Sequence, residues 1–404
     1  MIKPLPRPQR AADAAVIPYT RQHIDADDVA AVTEVLSSDW LTTGPQIAKF
    51  ENAVAAYCGA GYAVALSNAT AALHAALHAL GVGPGDRVWT TPNSFVASAN
   101  CASYCGATVD FVDIDPHTYN LSAARLEEKL AATDRAKLPK ALVVVHFGGF
   151  PCEMERIASI SRRHGIAIVE DAAHALGATY HGAPVGSGAF SDATIFCFHA
   201  TKSIATGEGG MVVTNRDDVA RSVRLFRSHG ITADAKEMAE RHPGEPWRYE
   251  QIELGFNYRM TDLQAALGSS QLSKLDAFVE RRRSLAERYD AAFADLALQL
   301  PYKDTAAASA WHLYPIQLLG ERRGARRTEL YETLLAHGIK SQVHYIPIHT
   351  QPYYRAQGFK AGDFPAAEHY YEGTLSLPLF YDLGEVDQDR IIAIVRASIP
   401  SRLA

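Results

Sequence analysis

IAIVEDAAHALG (residues 166–177) and FHATKSIATGEGG (198–210) decide the reading of this chain. IAIVE is a short, apolar, β-branched run of strand length. It ends on Glu170-Asp171, followed by small residues and His174. The second stretch follows another apolar run and places Lys202 ahead of the glycine-rich turn Gly207-Glu208-Gly209-Gly210. Polar groups thus cluster where apolar strands end, the position at which open α/β sheets bind ligands.

Working outward, the same alternation fills the first 250 residues. Strands are expected at 62–66, 87–91, 108–113, 141–147, 166–170, 193–198 and 211–214, with helices at 69–80, 94–105 and 153–164. Strands apolar throughout and separated by helices imply a mostly parallel sheet covered on both faces, an α/β fold. Past residue 260 the pattern changes. Residues 261–295 read as one long connecting helix, capped by Thr261 with Asp262 in its first turn. A strand at 312–319, a helix near 326–337, a strand at 341–347 and a helix near 387–397 make a smaller α+β domain. This gives an N-terminal segment (1–45, with a helix at 25–37) packing on the small domain, a large domain (46–260), the connecting helix, and a C-terminal domain (296–404).

Bulk properties narrow the function. The 404 residues carry a formal charge of −6 and are 48% hydrophobic. No whole-protein basic footprint for nucleic acid exists. The runs Arg281-Arg282-Arg283 and Arg322, Arg323, Arg326 and Arg327 read as solvated helix faces. No run reaches the ~18 apolar residues of a membrane span. The start, MIKPLPRPQR, lacks a signal-type apolar stretch, so a cytoplasmic location is expected. Five cysteines, odd in number and without zinc spacing, read as thiols rather than metal ligands.

Four strand-end or turn segments carry candidate chemistry. Ser67-Asn68-Ala69-Thr70 opens a helix, where backbone N–H groups and a hydroxyl suit a phosphate, although ordinary N-capping explains it equally. Asp171 could keep a pyridine nitrogen protonated. Lys202, partly desolvated, could become a nucleophile toward a carbonyl. Gly255-Phe256-Asn257-Tyr258-Arg259-Met260 precedes the long helix and is not separable from a structured loop. Asp171 lies 31 residues before Lys202. With the upstream phosphate loop, that order resembles the pyridoxal-phosphate (PLP) enzymes of fold type I.

The wording goes further. SNATAAL, EDAAHALG, FHATK, TGEGG and GFNYRMTDLQAALG, in that order, resemble the sugar-nucleotide aminotransferases of the DegT/DnrJ/EryC/StrS family, from about Ile17 to the C-terminus. The resemblance implies a Schiff base between PLP and Lys202, with Lys202 also moving the proton. It implies Asp171 on the pyridinium nitrogen, His174 near the phenolic oxygen, and Asn68, Ala69 and Thr70 at the phosphate. Phe95 would stack on the ring. Asn257 would reach the phosphate of a neighbouring subunit, making a homodimer with shared sites. Five residues before the lysine the family has serine; here Cys197 stands, a weaker donor. IPYTRQHID (17–25), SDWLTTGP (38–45), WHLYPIQL (311–318) and VHYIPIHTQPYY (343–354) resemble the transaminases of pseudaminic acid biosynthesis. That implies a UDP-4-keto-6-deoxy-N-acetylhexosamine and L-glutamate as substrates, and Tyr19, Thr42, Trp311, His312 and Tyr314 around the sugar nucleotide. His344 and His349 are weaker candidates. Pyridoxamine phosphate would be the other form of the cofactor. Rival readings are a different keto-sugar (C3 or C4), a dehydratase, a cysteine desulfurase, and a non-catalytic cofactor-binding regulator. Lys202 argues against the dehydratase, whose relatives carry histidine there.

Overall fold

The computed structural model describes residues 16–239 and 244–402. The leading MIKPLPRPQR lies outside them.

A seven-stranded sheet forms the centre: β1 (Tyr62–Leu66), β2 (Arg87–Thr90), β3 (Thr108–Phe111), β4 (Ala141–Val145), β5 (Ala167–Asp171), β6 (Ala193–Cys197) and β7 (Gly210–Thr214), in spatial order β1-β7-β6-β5-β4-β2-β3. Pairs β2–β3, β2–β4, β4–β5 and β5–β6 are parallel, and β7 runs antiparallel to both β1 and β6. This is the mostly parallel α/β sheet expected from the sequence. The strands are almost wholly buried because helices cover both faces. Helices Ala69–Ala79, Ala97–Tyr104 and Asp217–Phe226 pack on one side with Val64, Val143 and Ile195. Helices Pro45–Cys58 and Asp262–Leu272 pack on the other with Ala63, Phe196 and Met211. Of these five, Pro45–Cys58 and Asp217–Phe226 were not expected from the sequence.

The expected single helix over 261–295 is two, Asp262–Leu272 and Leu275–Phe293. The Ser273 hydroxyl donates to the Ser270 carbonyl at 2.7 Å, competing with the helical ladder. Lys274 is held by Asp25 and Asp28 at 2.5 and 2.9 Å, so the chain turns there. A strand at 341–347 does not form either. Gln342 makes one bridge to Ser376, and the chain then bends inward at His344-Tyr345. A three-stranded sheet of Leu298–Gln299, Tyr314–Leu318 and Thr374–Leu377 backs this region, with the helix Glu385–Ser398 over it. Ile17 packs here as well, its N–H on the Gly338 carbonyl at 2.9 Å. Among the described residues no helix is long and apolar enough to cross a membrane.

Arg282 departs from its reading as a solvated charge. It is buried, and its guanidinium donates to the carbonyls of Leu379 (2.9 Å) and of Trp311 and His312 (3.5 Å each).

Candidate active site

The ends of β5 and β6, the start of helix Ala69–Ala79 and the C-terminal segment enclose one cavity of about 790 Å³. At its floor stands Asp171, the last residue of β5. Ser98 donates to its Oδ2 at 2.6 Å, and the Ala173 N–H to its Oδ1 at 3.2 Å. Ser94 lies 2.7 Å from the Ser98 hydroxyl. The carboxylate is thus fixed by two donors and has lone pairs left to accept from a proton-bearing nitrogen. Neither serine was singled out from the sequence; only their place after β2, beside the expected Phe95, could have pointed to them.

At one end, Asn68 is extended and caps its helix, its side chain accepting the Ala71 N–H at 2.8 Å. Ala69 and Thr70 follow in the first turn and line the cavity. Helix starts carry unpaired N–H groups and a partial positive charge, which suit an anion. β7 approaches this turn so closely that a Cβ on Gly210 would sit 2.4 Å from the Asn68 carbonyl carbon. Gly210 is therefore packed directly behind the site, a role hidden among three near-consecutive glycines.

Lys202 sits in the turn after β6, with its N–H on the His199 carbonyl at 2.9 Å. Burial pulls its pKa down from 10.5, opposed by Cys197 and Asp171. Desolvation disfavours the ammonium, so the free amine is more available than in an ordinary lysine. Cys197 lines the cavity at the end of β6, where burial pushes its thiol pKa up; it is a neutral thiol rather than a thiolate.

The opposite wall is made of imidazoles. His174 and His312 lie with ring centroids 4.3 Å apart, and His344 is near Tyr19, at 5.7 Å. Burial, then the Lys202 charge and neighbouring His344, hold His174 well below the usual histidine pKa; burial comes first for His312 too. His344 falls to about 3, by burial and then Lys202. All three are neutral at physiological pH. A turn at Gly148-Gly149 joins the first two: the Gly148 N–H donates to His174 Nδ1 at 3.3 Å, and its carbonyl accepts the His312 N–H at 2.9 Å. Tyr345 completes the wall, its hydroxyl 3.3 Å from His174 Nε2. It too was not singled out from the sequence.

The sequence candidates divide accordingly. Lys202, Asp171, His174, Cys197, Asn68, Ala69, Thr70, Phe95, Tyr19, His312 and His344 line the cavity. Phe95 is 60% exposed at its mouth. Tyr314 does not line it: the residue is fully buried in the back sheet, with its hydroxyl on Asp290 at 2.7 Å. Trp311 points into the same core, behind His312. Thr42 is exposed and bridges Thr261, and Asn257 is exposed and bridges Ser228. His349 is buried against Glu368 at 2.9 Å. Neither Thr42, Asn257 nor His349 lines the cavity.

A carboxylate for a ring nitrogen, a helix start for a phosphate, a desolvated amine for a carbonyl and an aromatic face at the mouth fit PLP. Comparison with known proteins agrees. The spore coat polysaccharide biosynthesis protein SpsC of Bacillus subtilis is 42% identical over 94% of this chain and 96% of its own length. The PLP-form structure of Streptococcus pneumoniae Spr1654 superposes with a TM-score of 0.86 at 30% identity, covering 95% of this chain and 98% of that one. Helicobacter pylori PseC, an aminotransferase of pseudaminic acid biosynthesis, superposes at 0.85 with 32% identity over 95% and 99% of the two chains. The model of the DegT/DnrJ/EryC1/StrS aminotransferase family matches residues 22–396, and the chain belongs to that family of PLP-dependent aminotransferases.

Proposed function

We propose that this enzyme moves the amino group of L-glutamate to C4 of a UDP-4-keto-6-deoxy-N-acetylhexosamine, namely UDP-2-acetamido-2,6-dideoxy-β-L-arabino-hexos-4-ulose, as a cytoplasmic homodimer. The observation that carries the reading is the convergence of Lys202, Asp171 and the helix start at Ala69-Thr70 on a cavity that also holds Tyr19 and His312. The last two come from the segments that resemble the pseudaminic acid transaminases.

The bound cofactor supplies an electron sink for the carbon that loses its proton. Lys202 would hold the cofactor through its amine, and its Nζ would serve as the base that moves a proton between the substrate carbon and the cofactor's C4′ carbon. Asp171, fixed by Ser98, accepts the ring N–H and keeps that nitrogen protonated. Ala69 and Thr70 bind the phosphate. Tyr19, His312 and His344 offer neutral donors and acceptors to the sugar. Glutamate leaves as 2-oxoglutarate, and the keto carbon becomes the amine.

Among the described residues, Lys202 is the only lysine or arginine that lines the cavity. A diphosphate and two carboxylates call for more positive charge than that. A second subunit at the mouth answers this need. Asn257 is exposed and follows exposed Leu254 (79%) and Phe256 (40%), which supports an interface there.

One other keto-sugar nucleotide is a competing substrate reading, favoured by the higher identity to SpsC, named for spore coat polysaccharide. The test is absorbance. Glutamate should bleach the visible band of the holoenzyme, and the C4 keto-sugar should restore it. Bleaching without restoration by that sugar keeps the aminotransferase and discards the substrate.

A further inference from the structure

We propose that Tyr345 is a binding residue of this site, a hydrogen-bond donor to an anionic oxygen of the bound molecule, aimed by His174. The proton count runs along one line. Gly148 and Gly149 have positive φ (65° and 97°). A Cβ on Gly149 would lie 2.9 Å from the His174 carbonyl oxygen and 3.0 Å from the Trp311 nitrogen. The turn is wedged between the two histidine-bearing segments, so the direction of the Gly148 N–H is fixed. That N–H donates to His174 Nδ1 at 3.3 Å, and Nδ1 is therefore unprotonated. The imidazole is neutral, for burial and Lys202 both oppose its charging. Its single proton stands on Nε2 and is donated to Tyr345 Oη at 3.3 Å.

The Tyr345 oxygen is thereby an acceptor on one side. Among the described residues no other hydrogen bond of this hydroxyl is made, and Tyr345 lines the cavity. Its own O–H points to whatever fills the space beside Asp171 and Lys202. Burial raises its pKa, with Tyr19 and Asp171 adding to the effect, so it donates as a phenol and does not ionise. A neutral donor in an enclosed wall suits an oxygen that carries negative charge. Two bound molecules offer one: the cofactor's phenolic oxygen and a carboxylate of the amino donor.

The inference rests on the assignment of this cavity as the cofactor site, and the experiment separates the two. Tyr345→Phe, His174→Gln and His174→Leu are loaded with cofactor, and the visible band is titrated with pH in the absence of substrate. The kcat and KM for glutamate are then measured. Loss of one charged hydrogen bond corresponds to roughly a tenfold change. If the cofactor oxygen is the acceptor, Tyr345→Phe moves the midpoint of the band by about one pH unit, the same tenfold factor. If a carboxylate is the acceptor, the band titrates as in wild type and the KM for glutamate rises about tenfold with kcat little changed. His174→Gln should keep the wild-type signature, because its amide oxygen accepts from Gly148 while its NH₂ donates to Tyr345. His174→Leu should reproduce Tyr345→Phe. Wild-type band titration and wild-type glutamate KM in folded, loaded Tyr345→Phe would overturn the proposal, as would a wild-type signature in His174→Leu. A visible band that survives Lys202→Ala would instead overturn the assignment of the cavity.

Discussion

The cavity has two walls built on opposite plans. One is formed by strand ends and the turns that follow them: Asn68-Ala69-Thr70 after β1, Asp171 and Ala173 at the end of β5, and Cys197 to Lys202 after β6, with Gly210 of β7 packed behind Asn68. Each group stands within a few residues of a strand end, and Ser98 and Gly210 brace Asp171 and Asn68 from elsewhere in the chain. The other wall is loop against loop: His174, His312 and His344-Tyr345 line it, with the glycine turn at 148–149 and Trp311 behind them. Trp311 adopts φ 50°, a left-handed value uncommon for a side chain of its size. This wall is held by hydrogen bonds between distant segments and by Arg282 behind it. The difference suggests a division of labour. Under the proposed function, the strand-end wall would hold what stays, the cofactor, and the loop wall would meet what changes, the substrates.

The largest expected effects fall on the strand-end wall. Lys202→Ala should abolish both half-reactions, a loss of about 10²–10⁴-fold or more for a proton-transferring group, measured as single-turnover bleaching by glutamate and recovery with the keto-sugar. Asp171→Ala should follow, with roughly a 10- to 100-fold loss for one charge-assisted hydrogen bond. Appreciable turnover in Lys202→Ala would undo the assignment of this wall to the chemistry.

A sharper comparison sets one glycine from each wall against the other. Gly210→Ala drives a Cβ into the Asn68-Ala69 backbone and should weaken cofactor binding, by about 1–3 kcal/mol of overpacking strain. Gly149→Ala drives one into His174, Trp311 and His312 and should raise substrate KM while cofactor affinity stays close to wild type. Equilibrium dialysis of cofactor, with steady-state kinetics at saturating cofactor, reads both. Equal loss of cofactor affinity in the two variants would remove the division of labour.

Capture of cofactor tests the desolvated amine more gently. The neutral Lys202 amine is the reactive form, and burial lowers its pKa below 10.5. The rate of capture by apoenzyme should therefore rise with pH and level off before that value. A rise that continues past it would mean an ordinary, solvated lysine.

The same contrast explains what the sequence disclosed. The strand-end wall is contiguous in the chain, so IAIVED and FHATK each place a strand, a turn and a functional group within one short window. The loop wall is not local. Tyr345 gains its role from His174, 171 residues away, and from a glycine turn with no motif of its own. Trp311, His312 and Tyr314 look equivalent in WHLY, yet only His312 lines the cavity. Tyr314 begins a buried strand, while the left-handed turn at Trp311 sets His312 apart from its neighbours. Arg282 looked solvated because it stands within three arginines, and no local pattern reveals that backbone carbonyls surround it. Ser273-Lys274 broke the long helix for a comparable reason, since the pairing acids Asp25 and Asp28 lie some 250 residues earlier.

The smallest effect should be a gain. Cys197 ends β6 opposite Gly210, beside the helix start assigned to the phosphate. Its raised thiol pKa, set first by burial, keeps it protonated, and a thiol is a weak donor. Cys197→Ser keeps the size and adds a hydroxyl able to donate to a phosphate oxygen. One added hydrogen bond is worth about 0.5–1.5 kcal/mol net, so cofactor should bind roughly two- to tenfold more tightly, with glutamate KM unchanged. Dialysis against graded cofactor reads the first and initial rates the second. A tighter site with unaltered substrate constants would place Cys197 wholly on the cofactor wall. An unchanged affinity would mean that the backbone N–H groups at Ala69 and Thr70 already satisfy the phosphate, and that the thiol only fills space at the strand end.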